Sequence, residues 1–147
     1  MRCLGVANDA RLCVIMGSKT YLDIDVFTAA RQRIETTFSD FKHVYVAFSP
    51  GKDSGALLHL ALEVAREKDR LPLDVMILDL EAQYQHTVDY IERVANNPDV
   101  RLFWCCLPIH LRNAVSQIQP HWVCWHPDAK DIWKRDNSFG SVRLTGF

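Results

Sequence analysis

The rhythm of apolar and polar residues changes several times along the chain, and each change marks an element. From Asp23 or Asp25, either able to cap a helix, Phe27, Ala30, Ile34 and Phe38 recur at three- and four-residue steps with Arg31, Arg33 and Glu35 between them. That spacing predicts an amphipathic helix. The continuous run Val44-Tyr45-Val46-Ala47-Phe48 follows, short and rich in strand formers, as expected of a strand covered on both faces in a parallel sheet. After a turn over 49–54, Leu57, Leu58, Ala61, Leu62 and Ala65 restore a helical stripe. Residues 73–80 repeat the buried-strand pattern. Tyr84, Thr87, Val88, Ile91, Val94 and Ala95 then predict a helix that stops at Asn96-Asn97-Pro98, and residues 100–107 predict a third strand.

Strand, helix, strand, helix, strand at these separations predicts an α/β fold: an open parallel sheet with right-handed, Rossmann-like crossovers, doubly wound. Beyond Pro108 the pattern weakens. Residues 110–118 read as a helix and 128–135 as a shorter one, with no clear fourth strand. Residues 1–19 hold two short apolar runs, 3–6 and 12–16, separated by Asn8-Asp9, which suit an N-terminal arm or hairpin. The remaining 20–147 form the one domain expected of a 147-residue chain.

Composition adds two constraints. The 17 Lys+Arg and 18 Asp+Glu nearly cancel, which argues against a generally basic nucleic-acid coat. Six of the basic residues but only three of the acidic ones fall in 101–147, so the C-terminal third is mildly basic. Five cysteines without regular spacing, and no apolar run near the roughly 20 residues of a membrane span, point to a cytoplasmic, reducing setting.

Candidate chemistry sits where the first strand feeds its helix, because open α/β sheets bind ligands beyond the carboxyl ends of their strands. Ser49-Pro50-Gly51-Lys52-Asp53-Ser54-Gly55 occupies that turn. Small residues let the backbone approach an anion, the helix start offers unpaired N–H groups, and Lys52 adds a cation. It is not a Walker A loop, since Val46 stands where the first glycine belongs and Asp53 follows Lys52.

The loop resembles the pyrophosphate (PP) loop, Ser-Gly-Gly-x-Asp-Ser, of the adenine nucleotide alpha-hydrolase-like superfamily. With Ala47 to Gly55, the stretch LDLEAQYQHTVDYIER at 78–93 and the late Lys130-Asp131-Ile132-Trp133, the likeness is to the phosphoadenosine-phosphosulfate (PAPS) reductase family, nearest its prophage-borne regulator branch of the immunoglobulin-binding regulator A type. The resemblance implies that Ser49, Gly51, Lys52, Asp53, Ser54 and Gly55 bind the phosphates of ATP or a PAPS-like adenine nucleotide, with Mg²⁺ where a carboxylate must face phosphate. Lys52 and Asp53 would carry any catalysis, Asp53 also serving as a helix cap and loop brace. Pro50 departs from the family's glycine: it lacks an N–H donor and restricts Ser49, so Pro50→Gly is expected to tighten nucleotide binding.

Asp79 and Glu81 end the second strand on the same edge and stand near the family's Asp-Thr-Gly-x-x-Phe-Pro-Glu-Thr segment, which implies nucleotide contact. A solvated strand end and a helix cap is the alternative. The family's late Glu-Cys-Gly-Leu/Ile-His motif has no counterpart, so the thiolate needed for sulfonucleotide reduction is missing. Cys105, Cys106, His110, His121, Cys124 and His126 are of zinc-ligand type, but their irregular spacing favours buried cysteines and surface histidines. The four tryptophans, Trp104, Trp122, Trp125 and Trp133, fit a core or lid at the sheet edge more readily than a platform for single-stranded bases. Lys130, Lys134 and Arg135 could reach a nucleotide's far phosphates.

The expected function is adenine-nucleotide binding with ATP pyrophosphatase or adenylyl-transfer chemistry. The alternative is a non-catalytic prophage regulatory module acting with a ParB-like partner, as the resemblance implies. Superfamily members continue through two more strands, so the C-terminal strands are expected to be missing, and an open third-strand edge would invite a homodimer or a partner strand.

Overall fold

A computed structural model of the chain describes residues 23–135 and 142–144; the arm expected at 1–19 lies outside them. Helix α1 (Val26–Asp40) starts at Asp25, whose carboxylate accepts the Thr28 N–H at 2.9 Å. A hydrogen bond from the Thr28 hydroxyl, together with that backbone bond, holds the Asp25 carboxyl below its ordinary range. At the other end the Arg70 guanidinium donates to the Phe38, Phe41 and Lys42 carbonyls, satisfying groups a helix terminus leaves unpaired.

Strand β1 (Tyr45–Ala47) leads through the loop into α2 (Lys52–Glu67), β2 (Leu73–Leu78), α3 (Gln85–Ala95) and β3 (Val100–Cys105). The three strands are parallel in the order β1-β2-β3, with Tyr45 beside Asp74 and Asp74 beside Arg101. This is the α/β parallel sheet that the sequence rhythm predicts.

Because side chains alternate across a strand, the register sorts the sheet into two faces. On one face Leu73, Val75 and Ile77 of β2 and Val100, Leu102 and Trp104 of β3 join Phe38 of α1 and the apolar stripes of α2 and α3 in one core. Burying Leu58 or Ile91, each at most 1% exposed, contributes about 1.5–3 kcal/mol per side chain. The other face carries exposed Tyr45, Ala47 and Leu78 and a two-pronged Arg101–Asp74 ion pair at 2.6 and 2.8 Å. Successive right-handed crossovers that advance in one direction put their helices on one side. Among the described residues the sheet is therefore covered on one face, not doubly wound, and β1 is not the strand buried on both faces that its composition suggests.

The C-terminal third departs most from expectation. Residues 110–118 are not a helix: β4 (Ile109–Arg112) and β5 (His121–Cys124) form an antiparallel hairpin, with the Asn113 N–H donating to the Pro120 carbonyl at its mouth. Exposure alternates along Ile109, His110, Leu111 and Arg112, the two-residue period of a strand. The helix expected at 128–135 is a 3-10 helix at Pro127–Ile132, kinked at Ala129. A fourth strand, β6 (Val142–Leu144), pairs antiparallel with β3. The third-strand edge expected to be open is thus occupied over Phe103–Cys105, and among the described residues β1 and β6 are the edge strands of the sheet.

Candidate functional site

Pairing with β2 continues into the loop, the Phe48 N–H donating to the Met76 carbonyl at 2.8 Å. Gly51 is the N-cap of α2. Its N–H donates to the Ser49 carbonyl at 2.6 Å and to Ser54 Oγ at 3.2 Å, while the Ser54 hydroxyl donates back to the Gly51 carbonyl at 3.0 Å. Ser54 therefore braces the turn from inside. A glycine cap has no side chain to cover the first-turn amides, which leaves the positive end of the helix open to an anion.

Lys52 and Asp53 project from this turn with side chains 92% and 93% exposed, 4.0 Å apart. Asp53 lies inside the first helical turn, so the cap expected of it is Gly51 and the brace is Ser54. Gly55 answers to packing: a Cβ there would lie 2.6 Å from the Tyr90 hydroxyl. Tyr90 in turn meets Phe48 edge-on, ring centroids 5.5 Å apart, with the Arg93 guanidinium 5.3 Å from its ring centroid. Gly55, Tyr90 and Phe48 together set how the helix leaves the strand.

At the end of β2 the arrangement is the opposite. Asp79 is 1% and Glu81 7% exposed, so neither is a solvated strand end. Asp79 accepts the Glu81 N–H and the Trp104 indole N–H at 2.8 Å each, and its carboxylate receives Arg135 on both oxygens at 2.8 Å. Its carbonyl accepts the Trp125 indole N–H at 2.7 Å. Glu81 accepts the backbone N–H groups of Trp125 and Lys134, and its own carbonyl accepts Arg135. The two acids form a clasp that fastens the segment after β5 to the sheet edge.

Glu81 and Trp125 both have positive φ, 65° and 52°, conformations that L side chains seldom adopt, held here by the bonds between them. Arg135 is committed to Asp79 and Glu81 and stacks over Trp125 at 5.5 Å, instead of reaching toward the loop. Lys130 sits 5.8 Å over Trp133. Trp104 and Trp125 are core, as the lid reading expects. Trp125 and Arg135 are the partners that sequence reasoning missed for Asp79, and no local signal links residues 56 positions apart.

Among the described residues, Cys105, Cys106 and Cys124 are poorly placed for nucleophilic chemistry. Burial pushes the Cys106 thiol up to about 12 and raises that of Cys105, so little thiolate forms at neutral pH. The Cys124 thiol donates to the Leu107 and Ile109 carbonyls. His110 faces Val123 and His121 faces Arg112 across the hairpin, two rungs apart. Among the described residues no three His, Cys, Asp or Glu side chains converge on a point where a metal could sit. Nor is any helix among these residues long and apolar enough to cross a membrane.

Known proteins align with the part of the chain that carries this geometry. The chain is 39% identical over 120 residues to the uncharacterized protein YbdN of Escherichia coli (strain K12), a match covering 80% of this chain and 29% of that relative. It thus spans less than a third of the curated relative's length. No solved structure matches. The model of the phosphoadenosine phosphosulfate reductase domain matches residues 43–120, from the threshold of β1 through the loop, α2, the Asp79–Glu81 corner and the first hairpin strand. With more than half its length inside that match, the chain belongs to the phosphoadenosine phosphosulfate reductase domain family.

Proposed function

We propose that the chain binds an adenine nucleotide, ATP or a PAPS-like phosphosulfate, with its phosphates on the loop from Ser49 to Gly55. The observation that carries this reading is the glycine-capped start of α2, with Lys52 almost fully exposed beside first-turn amides that no side chain covers. Lys52 and the helix end supply positive charge, Ser49 a hydroxyl, and Gly51 room for close approach. Asp53 faces the same solvent and would accept Mg²⁺ arriving with the phosphates, a metal that needs only one or two protein carboxylates. In a catalytic version, attack at the alpha phosphate releases pyrophosphate, stabilised by the same donors.

A second reading, a nucleotide-dependent regulatory module in the cytoplasm with a ParB-like or identical partner, draws support from the Asp79–Glu81 clasp. Both buried acids are committed to internal partners, which leaves no unengaged carboxylate at the end of β2 to act as a general base. The raised thiols of Cys105 and Cys106 speak against either serving as the nucleophile of sulfonucleotide reduction.

Calorimetric titration with ATP and with PAPS, paired with a pyrophosphate assay, tests both. Saturable binding lost in Lys52→Ala supports the loop. Pyrophosphate release then selects the enzyme, and binding without release selects the module. Absence of binding by either nucleotide overturns the proposal.

A further inference from the structure

Two apolar features of the C-terminal third lie side by side, one a projection and the other a recess. The projection is the stretch 113–120 that joins β4 to β5 and carries no charged residue. Val115 is 96% and Ile118 94% exposed there. The stretch is braced from within: the Asn113 N–H donates to the Pro120 carbonyl at 2.7 Å, the Val115 N–H to Asn113 Oδ1 at 3.2 Å and the Gln119 N–H to Ser116 Oγ at 3.0 Å.

The recess is a groove of about 560 Å³ between the hairpin, the 3-10 helix and the Glu81 corner. Its apolar lining is Ala82, Trp122, Val123, Ala129, Ile132 and Trp133, with Ile132 exposed. The near-complete exposure of Val115 and Ile118 shows that the projection does not fill its own chain's groove. Apolar side chains exposed singly are ordinary, but three beside a groove with two tryptophans mark an interaction surface. Charge divides in the same way. Arg112 and His121, both exposed, form the last rung of the hairpin before the projection. The 3-10 helix on the other wall carries exposed Asp128 and Asp131, while its Lys130 lies 5.8 Å from the Trp133 ring. Among the described residues no ion pair engages Arg112, Asp128 or Asp131.

We infer that a second copy of this chain occupies the groove, each chain inserting its 113–120 projection between the hairpin and the 3-10 helix of the other. A two-fold axis closes this arrangement, because the same patch serves both chains and a projection beside a recess then meets its complement twice. Val115 and Ile118 of one copy leave water against Trp122, Ile132 and Trp133 of the other. Arg112 and His121 are brought toward Asp128 and Asp131 of the second copy, which sets an opposite-charge rim around an apolar centre, the anatomy of a specific interface. A stretch already braced by its own hydrogen bonds loses little freedom on docking. A lipid surface would take up the two aliphatics but leaves the groove and its acidic wall without a role, and one arginine attracts anionic lipid weakly.

Sedimentation velocity on the full chain, in reducing buffer without nucleotide, tests this at about 1 to 100 μM, the range in which modest interfaces associate. With no nucleotide present, the result does not depend on the Ser49–Gly55 loop, and the two readings fail separately. The expected result is a reversible, concentration-dependent dimer. Val115→Ser combined with Ile118→Ser is expected to weaken it about tenfold or more with an unchanged melting midpoint, since both side chains are solvated in the monomer. Arg112→Glu alone, and Asp128→Lys combined with Asp131→Lys alone, are each expected to stay monomeric. Mixed in equal amounts, these two proteins are expected to dimerise, because every contact across the two-fold axis then joins opposite charges. A monomer at every concentration, a dimer unaltered by the Val115 and Ile118 changes, or a mixture that stays monomeric overturns the inference. A monomer that sediments with phosphatidylserine vesicles, and no longer does so with Val115→Ser and Ile118→Ser, identifies lipid as the occupant and likewise overturns it.

Discussion

The ends of β1 and β2 lie side by side at one edge of the sheet and both carry acids that the family motifs single out, yet they are built for different tasks. At the end of β1, Lys52 and Asp53 stand in solvent 4.0 Å from each other, and the hydrogen bonds run within the turn, between Gly51 and Ser54. At the end of β2, Asp79 and Glu81 are buried and committed to Trp104, Trp125, Lys134 and Arg135. A charged residue at a strand end is therefore not a binding residue by position alone. What decides is whether its hydrogen-bonding capacity has been taken up inside the protein. The open corner has donors to give a ligand, whereas the closed corner has given its acceptors to the chain's own C-terminal segment.

The largest expected effect breaks the closed corner. Asp79→Ala removes the buried carboxylate that Arg135 holds with two hydrogen bonds and that the Trp104 indole N–H reaches, and removing one partner of such a pair costs about 3–5 kcal/mol. That is a large share of a small domain's stability. Urea denaturation followed by circular dichroism reads it, and an unshifted midpoint would show that the clasp holds nothing.

Gly55→Ala comes next, because the new methyl meets the Tyr90 hydroxyl at 2.6 Å. Such overpacking costs about 1–3 kcal/mol. In a Tyr90→Phe background the next ring atom stands at 3.4 Å, and the same change becomes neutral or stabilising by up to about 1 kcal/mol, since alanine favours a helix over glycine. An equal loss in both backgrounds would clear Tyr90 of responsibility.

At the open corner the signature reverses. Lys52→Ala is expected to shift stability by less than about 0.5 kcal/mol, as for a solvated surface side chain, while weakening nucleotide binding about tenfold, or about 1.4 kcal/mol. Thermal melting beside calorimetry separates the two, and a stability loss with intact affinity would make Lys52 a structural residue. Smallest is Pro50→Gly, which adds one N–H donor at the proposed phosphate position but also adds chain entropy. A gain of about threefold in nucleotide affinity is expected. No gain would put Pro50 outside the cradle.

By itself the sequence determined the elements from Asp25 to Cys105 and the loop that follows the first strand, because helix spacing, buried runs and glycine turns are local patterns that neighbouring residues carry. Asp79 and Glu81 were visible as candidates for the same reason, though their commitment was not. Only the tertiary structure decided that the helices share one face, that residues 109–124 pair as a hairpin, that β6 covers the edge of β3, and that Arg135 reaches back to Asp79. Strand partners and buried ion pairs are chosen by what the folded chain brings together across dozens of residues, and that choice leaves no period in the sequence.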